Sequence, residues 1–220
     1  MSSQIVMAGA TGLVGGDTLK LLLDEPDVTS VISVSRKEVN VENDKLIQCI
    51  SNDLSLPDLG WSASYVSRVG IITLGTTLKK AGSKEKLRLV DVELVVKTAT
   101  AMKQAGIDRL LVVSCHGAKV DSSSFYLRCK GEMEQRLGQL VFSSLVIFRP
   151  GPIAGERGES RLDEKVIQVV SKLLRPFFIG GLQNWLPTES KDVAKAIVHL
   201  TTEVTKGTVL LRRKEILRGN

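Results

Sequence analysis

The chain is poor in the residues that staple small secreted folds or build metal centres. Three cysteines in 220 residues (Cys49, Cys115 and Cys129) show no C-x-x-C spacing. That excludes a disulfide framework or a zinc ribbon and fits free thiols in a reducing compartment. Histidine is scarcer still: neither His116 nor His199 has a second ligand at metal spacing, so no structural or catalytic metal is expected. Aromatic residues make up only 4% of the chain, and no basic segment is interleaved with them as a nucleic-acid module requires. No apolar run approaches the ~18–20 residues of a membrane span, and the Leu140–Phe148 stretch is interrupted by two serines. The first residues carry no basic region or cleavage site and enter a strand at once. Together these absences predict a cytoplasmic protein whose partner is a small-molecule substrate, with no nucleic acid and no membrane.

What is present describes an ordinary globular chain, 43% apolar and 25% charged, with a net charge of +6. There is no repeat, low-complexity linker or composition shift. Residues 1–220 read as a single domain, in which 151–220 form a small substrate-facing lobe after a change of texture at Pro150. Oligomeric state is open between monomer and homodimer. Two basic clusters, Lys79-Lys80 with Lys84, Lys86 and Arg88, and Arg212-Arg213-Lys214, read as solvated faces. The first also has the charge to attract an anionic ligand.

The most informative stretch is Gln4–Ala8 running into Gly9-Ala10-Thr11-Gly12-Leu13-Val14-Gly15. A short apolar strand meets a glycine-punctuated turn, and a helical period over Leu13–Leu23 follows. Backbone N–H groups and the helix dipole favour an anion there, most often a dinucleotide pyrophosphate. Gly9 suits the tight turn, Gly12 the approach of phosphate to backbone, and Gly15 close helix–strand packing. Further apolar runs at Ser30–Ser35, Lys45–Ile50, Val69–Leu74, Arg109–Ser114 and Leu140–Arg149 alternate with helical periods at Lys84–Ala105 and Ser124–Leu137. Gly158 falls in a loop, Leu162–Leu174 reads as a helix and Gly180-Gly181 as another loop. Ser190 reads as the N-cap of a helix to about Leu200, and Thr208–Leu211 as a last strand. The pattern predicts an α/β fold, a doubly wound parallel sheet of the dinucleotide-binding kind.

Arg36-Lys37 follows the second strand, where an acid would bind the adenosine ribose of NAD. A guanidinium there pairs with a 2′-phosphate and predicts NADP(H), although a plain surface basic pair reads the same way. Asp53-Leu54, after the third strand, is placed for adenine: the carboxylate accepts from the exocyclic amine and the leucine packs the ring. Ser114 ends the fifth strand, and Tyr126 and Lys130 share one face of the following helix. A phenol beside a fixed ammonium becomes a better proton carrier, and Ser114 could hold a substrate oxygen. The plainer alternative is a buried tyrosine with a lysine whose stem is buried and whose head reaches water. Cys115 and His116 face the same crevice and read as a packed thiol and an exposed imidazole.

Taken with Arg149-Pro150-Gly151 and Lys191-Asp192-Val193-Ala194-Lys195-Ala196, these motifs resemble the extended and atypical short-chain dehydrogenase/reductases, with the NAD(P)-binding Rossmann fold. The set Leu74-Gly75-Thr76-Thr77, Val90-Asp91 and Tyr126-Leu127-x-x-Lys130-Gly131-Glu132 is most similar to the branch of the Tat-interactive protein and its bacterial relatives, often labelled nucleoside-diphosphate-sugar epimerases. The resemblance implies that Gly9, Thr11, Gly12, Leu13 and Val14 line the pyrophosphate, and that Gly75 and Thr76 approach the nicotinamide-side ribose. It implies that Pro150 and Ile153 border the nicotinamide. Tyr126 would be the proton donor or acceptor, Lys130 would bind ribose and lower its pKa, and Ser114 would polarise substrate. Asp91 stands where many relatives carry asparagine, and a carboxylate cannot donate unless protonated. Only about seventy residues follow Gly151, fewer than a nucleotide-sugar lobe needs. The expected activity is an NADPH-dependent oxidoreductase acting on a small carbonyl compound. The alternatives are an NADPH-binding regulatory or scaffold protein with vestigial catalysis, and a nucleoside-diphosphate-sugar epimerase.

Overall fold

The structure is a computed structural model that describes residues 2–59, 67–155 and 180–218. In chain order the first elements are β1 (Ser3–Ala8), α1 (Leu13–Asp24), β2 (Val28–Ser35), β3 (Leu46–Ile50) and β4 (Ser67–Ile72). After a short α2 (Leu78–Ala81), α3 (Lys84–Arg88) passes through a π-helical turn at Leu89–Leu94 into α4 (Val95–Gln104). Then come β5 (Arg109–Val113), α5 (Phe125–Gly138), β6 (Ser144–Arg149) and β7 (Ile153–Ala154). A 3₁₀ turn (Gly180–Trp185), β8 (Thr188–Glu189), α6 (Ser190–Thr202), β9 (Gly207–Arg212) and α7 (Arg213–Arg218) complete the described residues.

Seven strands form one parallel sheet in the order β3-β2-β1-β4-β5-β6-β9, and β7 pairs with β8 as a separate two-stranded piece. Both faces of the central strands are buried, which is why they read as continuous apolar runs. Along β1 the side chains alternate. Val6 and Ala8 join a core with Leu87, Val95, Met102, Met133 and Leu137 from the layer containing α3, α4 and α5. Ile5 and Met7 join the opposite core with Leu19, Leu22, Val193, Ile197 and Ile216 from α1, α6 and α7. This is the α/β Rossmann-type architecture expected. Strand order reverses beside β1, with β2 on one side and β4 on the other, and ligands bind such sheets at the strand ends there.

Three local expectations need correcting. The sixth strand begins at Ser144, because α5 runs to Gly138 and Val141 turns the chain with φ 52° before it can extend. Ser190 is the first residue of α6 rather than its cap: its hydroxyl donates to Asp17 Oδ2 at 2.5 Å, which ties α6 to α1. Gly180-Gly181 opens a 3₁₀ turn. The loop at Gly158 and the helix expected over Leu162–Leu174 lie outside the described residues.

Arg109, at the start of β5, holds the sheet to α6. It donates to Ser67 Oγ (2.8 Å), to the carbonyls of Leu200 (3.0 Å) and Thr201 (3.2 Å), and to that of Glu203. Those last-turn carbonyls have no intrahelical donors of their own. Arg109→Ala is expected to cost roughly 2–4 kcal/mol, several hydrogen bonds at about 1 kcal/mol each. In a chain of this size that lowers Tm by roughly 5–10 °C; an unchanged melting curve would remove the guanidinium from the list of stabilising groups.

Candidate functional site

A cleft of about 590 Å³ opens at the switch point, walled by the start of α1, the loop after β4, the end of β5, α5 and the turn after β6. That size is typical of a small-ligand site. Gly9 sits at φ 101°, a conformation that side chains resist, and a Cβ there would fall 2.5 Å from Thr73 Oγ1. A Cβ on Gly15 would overlap the Gly9 carbonyl oxygen and lie 2.6 Å from Thr73 Oγ1. The two glycines therefore let α1 dock directly against its own turn and the loop after β4. At the helix start, Gly12 is the N-cap, no side chain caps the helix, and the first turn holds no acid. Uncapped N–H groups and an uncompensated dipole end thus border the cleft, a cradle that fits the pyrophosphate of a dinucleotide.

Of the residues the sequence singled out for a cofactor, Gly12, Leu13, Val14, Gly75, Thr76, Tyr126, Lys130, Pro150 and Ile153 line this one cleft. Gly9 and Thr11 lie in the turn behind it. Arg36 and Lys37 are exposed just beyond β2, with no ion-pair partner among the described residues. Asp53 and Leu54 stand outside the cleft wall, and the structure corrects the role given to Leu54. Leu54, with φ 55°, is 3% exposed and packs into the sheet core, so its side chain offers no face to a ring. Asp53 is bonded to Lys97 Nζ at 2.7 Å and to Ser51 Oγ at 2.7 Å; the Lys97 bond, with those from Ser51 and Ser55, holds its carboxyl well below the usual carboxylate range.

The three residues expected to carry chemistry converge in the cleft. Ser114 follows β5, its backbone fixed by a bond from Ser114 N–H to the Phe148 carbonyl at 2.8 Å. Its hydroxyl is 3% exposed and has no hydrogen-bond partner, a costly state for a polar group unless a ligand completes it. Tyr126 is the second residue of α5. Burial, then the neighbouring Cys115 sulfur and the Asp91 carboxylate, push its phenol above the usual tyrosine value. The net shift is upward, contrary to what the resemblance implied: Lys130 Nζ is 2.8 Å from Asp91 Oδ1, whose carboxylate offsets the ammonium near the phenol. Burial raises the Cys115 thiol to about 11, so it is a packed thiol at neutral pH. His116 is held at right angles to Trp185, ring centroids 4.7 Å apart, and burial followed by Arg212 and Arg149 lowers its pKa.

Several members of the site carried no legible sign. Trp185 reaches the cleft from residues whose sequence reads as a loop. Glu134 takes both Arg149 Nε (3.0 and 3.1 Å to its two oxygens) and Arg149 Nη2, anchoring α5 to the turn at Pro150. Only the i, i+4 spacing from Lys130 would have placed Glu134 on the same helical face. Among the described residues no group of histidine, cysteine or carboxylate side chains is arranged to hold a metal. Nor is any described helix long and apolar enough to cross a membrane.

Solved structures share the fold at low identity. UDP-glucuronic acid 4-epimerase from Bacillus cereus, in complex with NAD, is 13% identical, with 95% of this chain and 78% of that chain covered and a TM-score of 0.64. The human epimerase family protein SDR39U1 (isoform 2), with NADPH, is 16% identical over 96% of this chain and 77% of that one, TM-score 0.61. Curated relatives are nearer in sequence. "Protein FMP52, mitochondrial" of Meyerozyma guilliermondii is 32% identical over 92% of this chain and 87% of its own length. Its namesake in Emericella nidulans is 33% identical, at 94% and 91%. These mitochondrial names overturn the cytoplasmic location expected from free thiols and the opening residues. Thiol usage reports a reducing environment, which is not confined to the cytoplasm, so it could not separate the two. The family model named HIM1 matches residues 28–179, from β2 onward, and the chain belongs to the HIM1 family.

Proposed function

We propose that this chain is an NADP(H)-dependent reductase of small carbonyl compounds, working in mitochondria as its relatives' names suggest. The observation that carries the reading is Ser114: a buried hydroxyl without a partner, in the wall of a cleft that also holds Tyr126 and the uncapped start of α1. In this reading the cleft belongs to a single domain over residues 1–220, in which 151–220 form a small lobe facing the substrate. Likeness to the Tat-interactive branch fits the same assignment.

When bound, the reduced nicotinamide supplies a hydride to the carbonyl carbon. The chain's own groups do the rest. Gly12, Leu13 and Val14 offer backbone N–H groups to the pyrophosphate, Arg36 and Lys37 meet the 2′-phosphate, and the Gly75–Thr76 loop with Pro150 and Ile153 confines the ribose and ring. Asp53 stays near the adenine only through its remaining acceptor capacity. Ser114 donates to the carbonyl oxygen, and Tyr126 gives that oxygen its proton and regains one from water. A phenol kept protonated suits this donation better than the proton abstraction an epimerase begins with. The observation favouring the regulatory alternative is the Asp91–Lys130 pair, which sets a carboxylate against the cation that would activate Tyr126.

Fluorescence titration tests the cofactor. NADPH is expected to bind at least tenfold more tightly than NADH, and the Arg36→Ala/Lys37→Ala variant is expected to lose most of that preference. Equal affinities in the parent protein would sink the 2′-phosphate assignment. NADPH binding without turnover across a panel of aldehydes, ketones and quinones would decide for the regulatory alternative.

A further inference from the structure

One buried pair has no part in the steps above. Asp91 is fully buried and the Lys130 side chain is 3% exposed, yet they form a charged contact at 2.8 Å. Burying two charges costs more than most folds tolerate without a return in geometry. Asp91 sits in the π-helical turn at Leu89–Leu94, and such one-turn widenings gather at functional sites. Its other carboxylate oxygen, Oδ2, accepts the Thr76 N–H at 2.9 Å. A Cβ added to Gly75 would lie 3.4 Å from Asp91 Oδ1 and 3.5 Å from Lys130 Nζ, so the pair packs directly against the loop after β4. Three separate elements, the widened helix, that loop and α5, therefore meet at one carboxylate.

We propose that Asp91 is a positioning residue that clamps Lys130 to the Gly75–Thr76 loop and, by pairing its ammonium, poises Tyr126 as a proton donor. The proposal rests on the reductase reading for its chemical meaning, though not for its test. In reduction the carbonyl carbon takes the hydride as NADPH becomes NADP⁺, the carbonyl oxygen takes the Tyr126 proton, and the phenolate recovers a proton from water. Alcohol oxidation runs through the opposite protonation state, with Tyr126 ionised before it can accept the alcohol proton. A free ammonium beside the phenol would populate that state at neutral pH; a paired one does not.

The charged and titratable groups around Tyr126 are few. Asp91 faces it from the π turn, Lys130 and Glu134 lie on its own helix, Cys115 comes from the end of β5, and Arg149 from β6, already paired with Glu134. Of these, Asp91 is the carboxylate that acts on the phenol itself, and its neutralisation both removes that negative charge and releases the Lys130 ammonium; Glu134 acts on the neighbouring Cys115. Asp91→Asn keeps the shape and leaves an amide oxygen to accept from Thr76.

The sequence contains two tyrosines, Tyr65 and Tyr126, so the difference between parent and Tyr126→Phe in an alkaline tyrosinate absorbance titration isolates Tyr126. The Asp91→Asn protein, without cofactor or substrate, is expected to show about tenfold more Tyr126 tyrosinate than the parent in mildly alkaline buffer, equivalent to one pKa unit. With NADP⁺ and an alcohol, the pH at which oxidation reaches half its maximum should fall in step. A folded Asp91→Asn protein whose tyrosinate titration matches the parent's would overturn the clamp. If Asp91→Asn does not fold, Asp91→Ser replaces it, since it also frees the ammonium and keeps an oxygen for the Thr76 N–H. Folded Asp91→Ser must raise tyrosinate, and no rise overturns the proposal. Parent protein that fails to bind NADPH would overturn the reductase reading alone, because the titration uses no nucleotide.

Discussion

Tyr126→Phe is expected to lower carbonyl turnover by roughly 10²–10⁴-fold while leaving NADPH affinity close to that of the parent, the usual range for losing a positioned acid. The hydroxyl faces Cys115 and the cleft and is not committed to holding the helix, so its removal subtracts a proton donor and little packing. Ser114→Ala should follow with a loss of roughly 10²–10³-fold, the range for removing one donor to a developing oxyanion. Because the Ser114 hydroxyl is buried without a partner, the same change should leave stability unchanged or slightly raised. That opposition of signs is diagnostic: a hydroxyl with a purely structural role would lose stability and spare turnover. Single-turnover kinetics at saturating NADPH, with thermal melts of each variant, measure both. Full activity in Tyr126→Phe would end the assignment of that phenol.

The second large effect comes from two neighbouring glycines that should respond in opposite directions. In Gly15→Ala the new Cβ overlaps the Gly9 carbonyl and approaches Thr73 Oγ1 to 2.6 Å, and backbone cannot retreat as a flexible side chain would. Helix α1 must lift from the turn, at a cost of roughly 1–3 kcal/mol or more. Its N–H groups move off the pyrophosphate position, and NADPH affinity should fall by at least a hundredfold. Gly16→Ala meets the Ala10 carbonyl at 3.5 Å, ordinary van der Waals contact. One residue along the same helix, alanine should therefore stabilise by roughly 0.5–1 kcal/mol through helix propensity and leave binding intact. Paired melts and NADPH titrations check this; equal behaviour of the two variants would refute the packing role assigned to Gly15.

The sheet was legible because its strands are buried on both faces and write themselves as apolar runs, and the turn at Gly9–Gly15 was legible because backbone geometry there demands glycine. Ser114, Tyr126 and Lys130 could be brought together on paper because a strand end and one helical face fix their relative positions. What sequence hid depends on contacts between distant segments. Nothing local says that Lys130 meets Asp91 across two helices, so the expected lowering of the Tyr126 pKa had the wrong sign. Leu54 read as a ring-packing residue because its left-handed backbone, which turns the side chain into the core, has no composition signature. The widened turn at Leu89–Leu94 is invisible for a similar reason, since a helical period survives one extra residue per turn. Location failed because thiols report redox state and not address.

The bond from Ser190 to Asp17 joins residues 173 positions apart, at the seam where α6 backs α1. It gives the chain an order of assembly. The strand, turn and first helix leave the ribosome well before α6, yet α6 makes the surface that supports the first helix. Until those arrive, Leu19 and Leu22 of α1 lack the Val193 and Ile197 they are buried with in the finished fold. Loop closure over that separation costs chain entropy and returns few interactions until α6 itself has formed. The nucleotide cradle is thus encoded long before the surface that completes it, and a nascent chain without α6 will not hold a dinucleotide tightly.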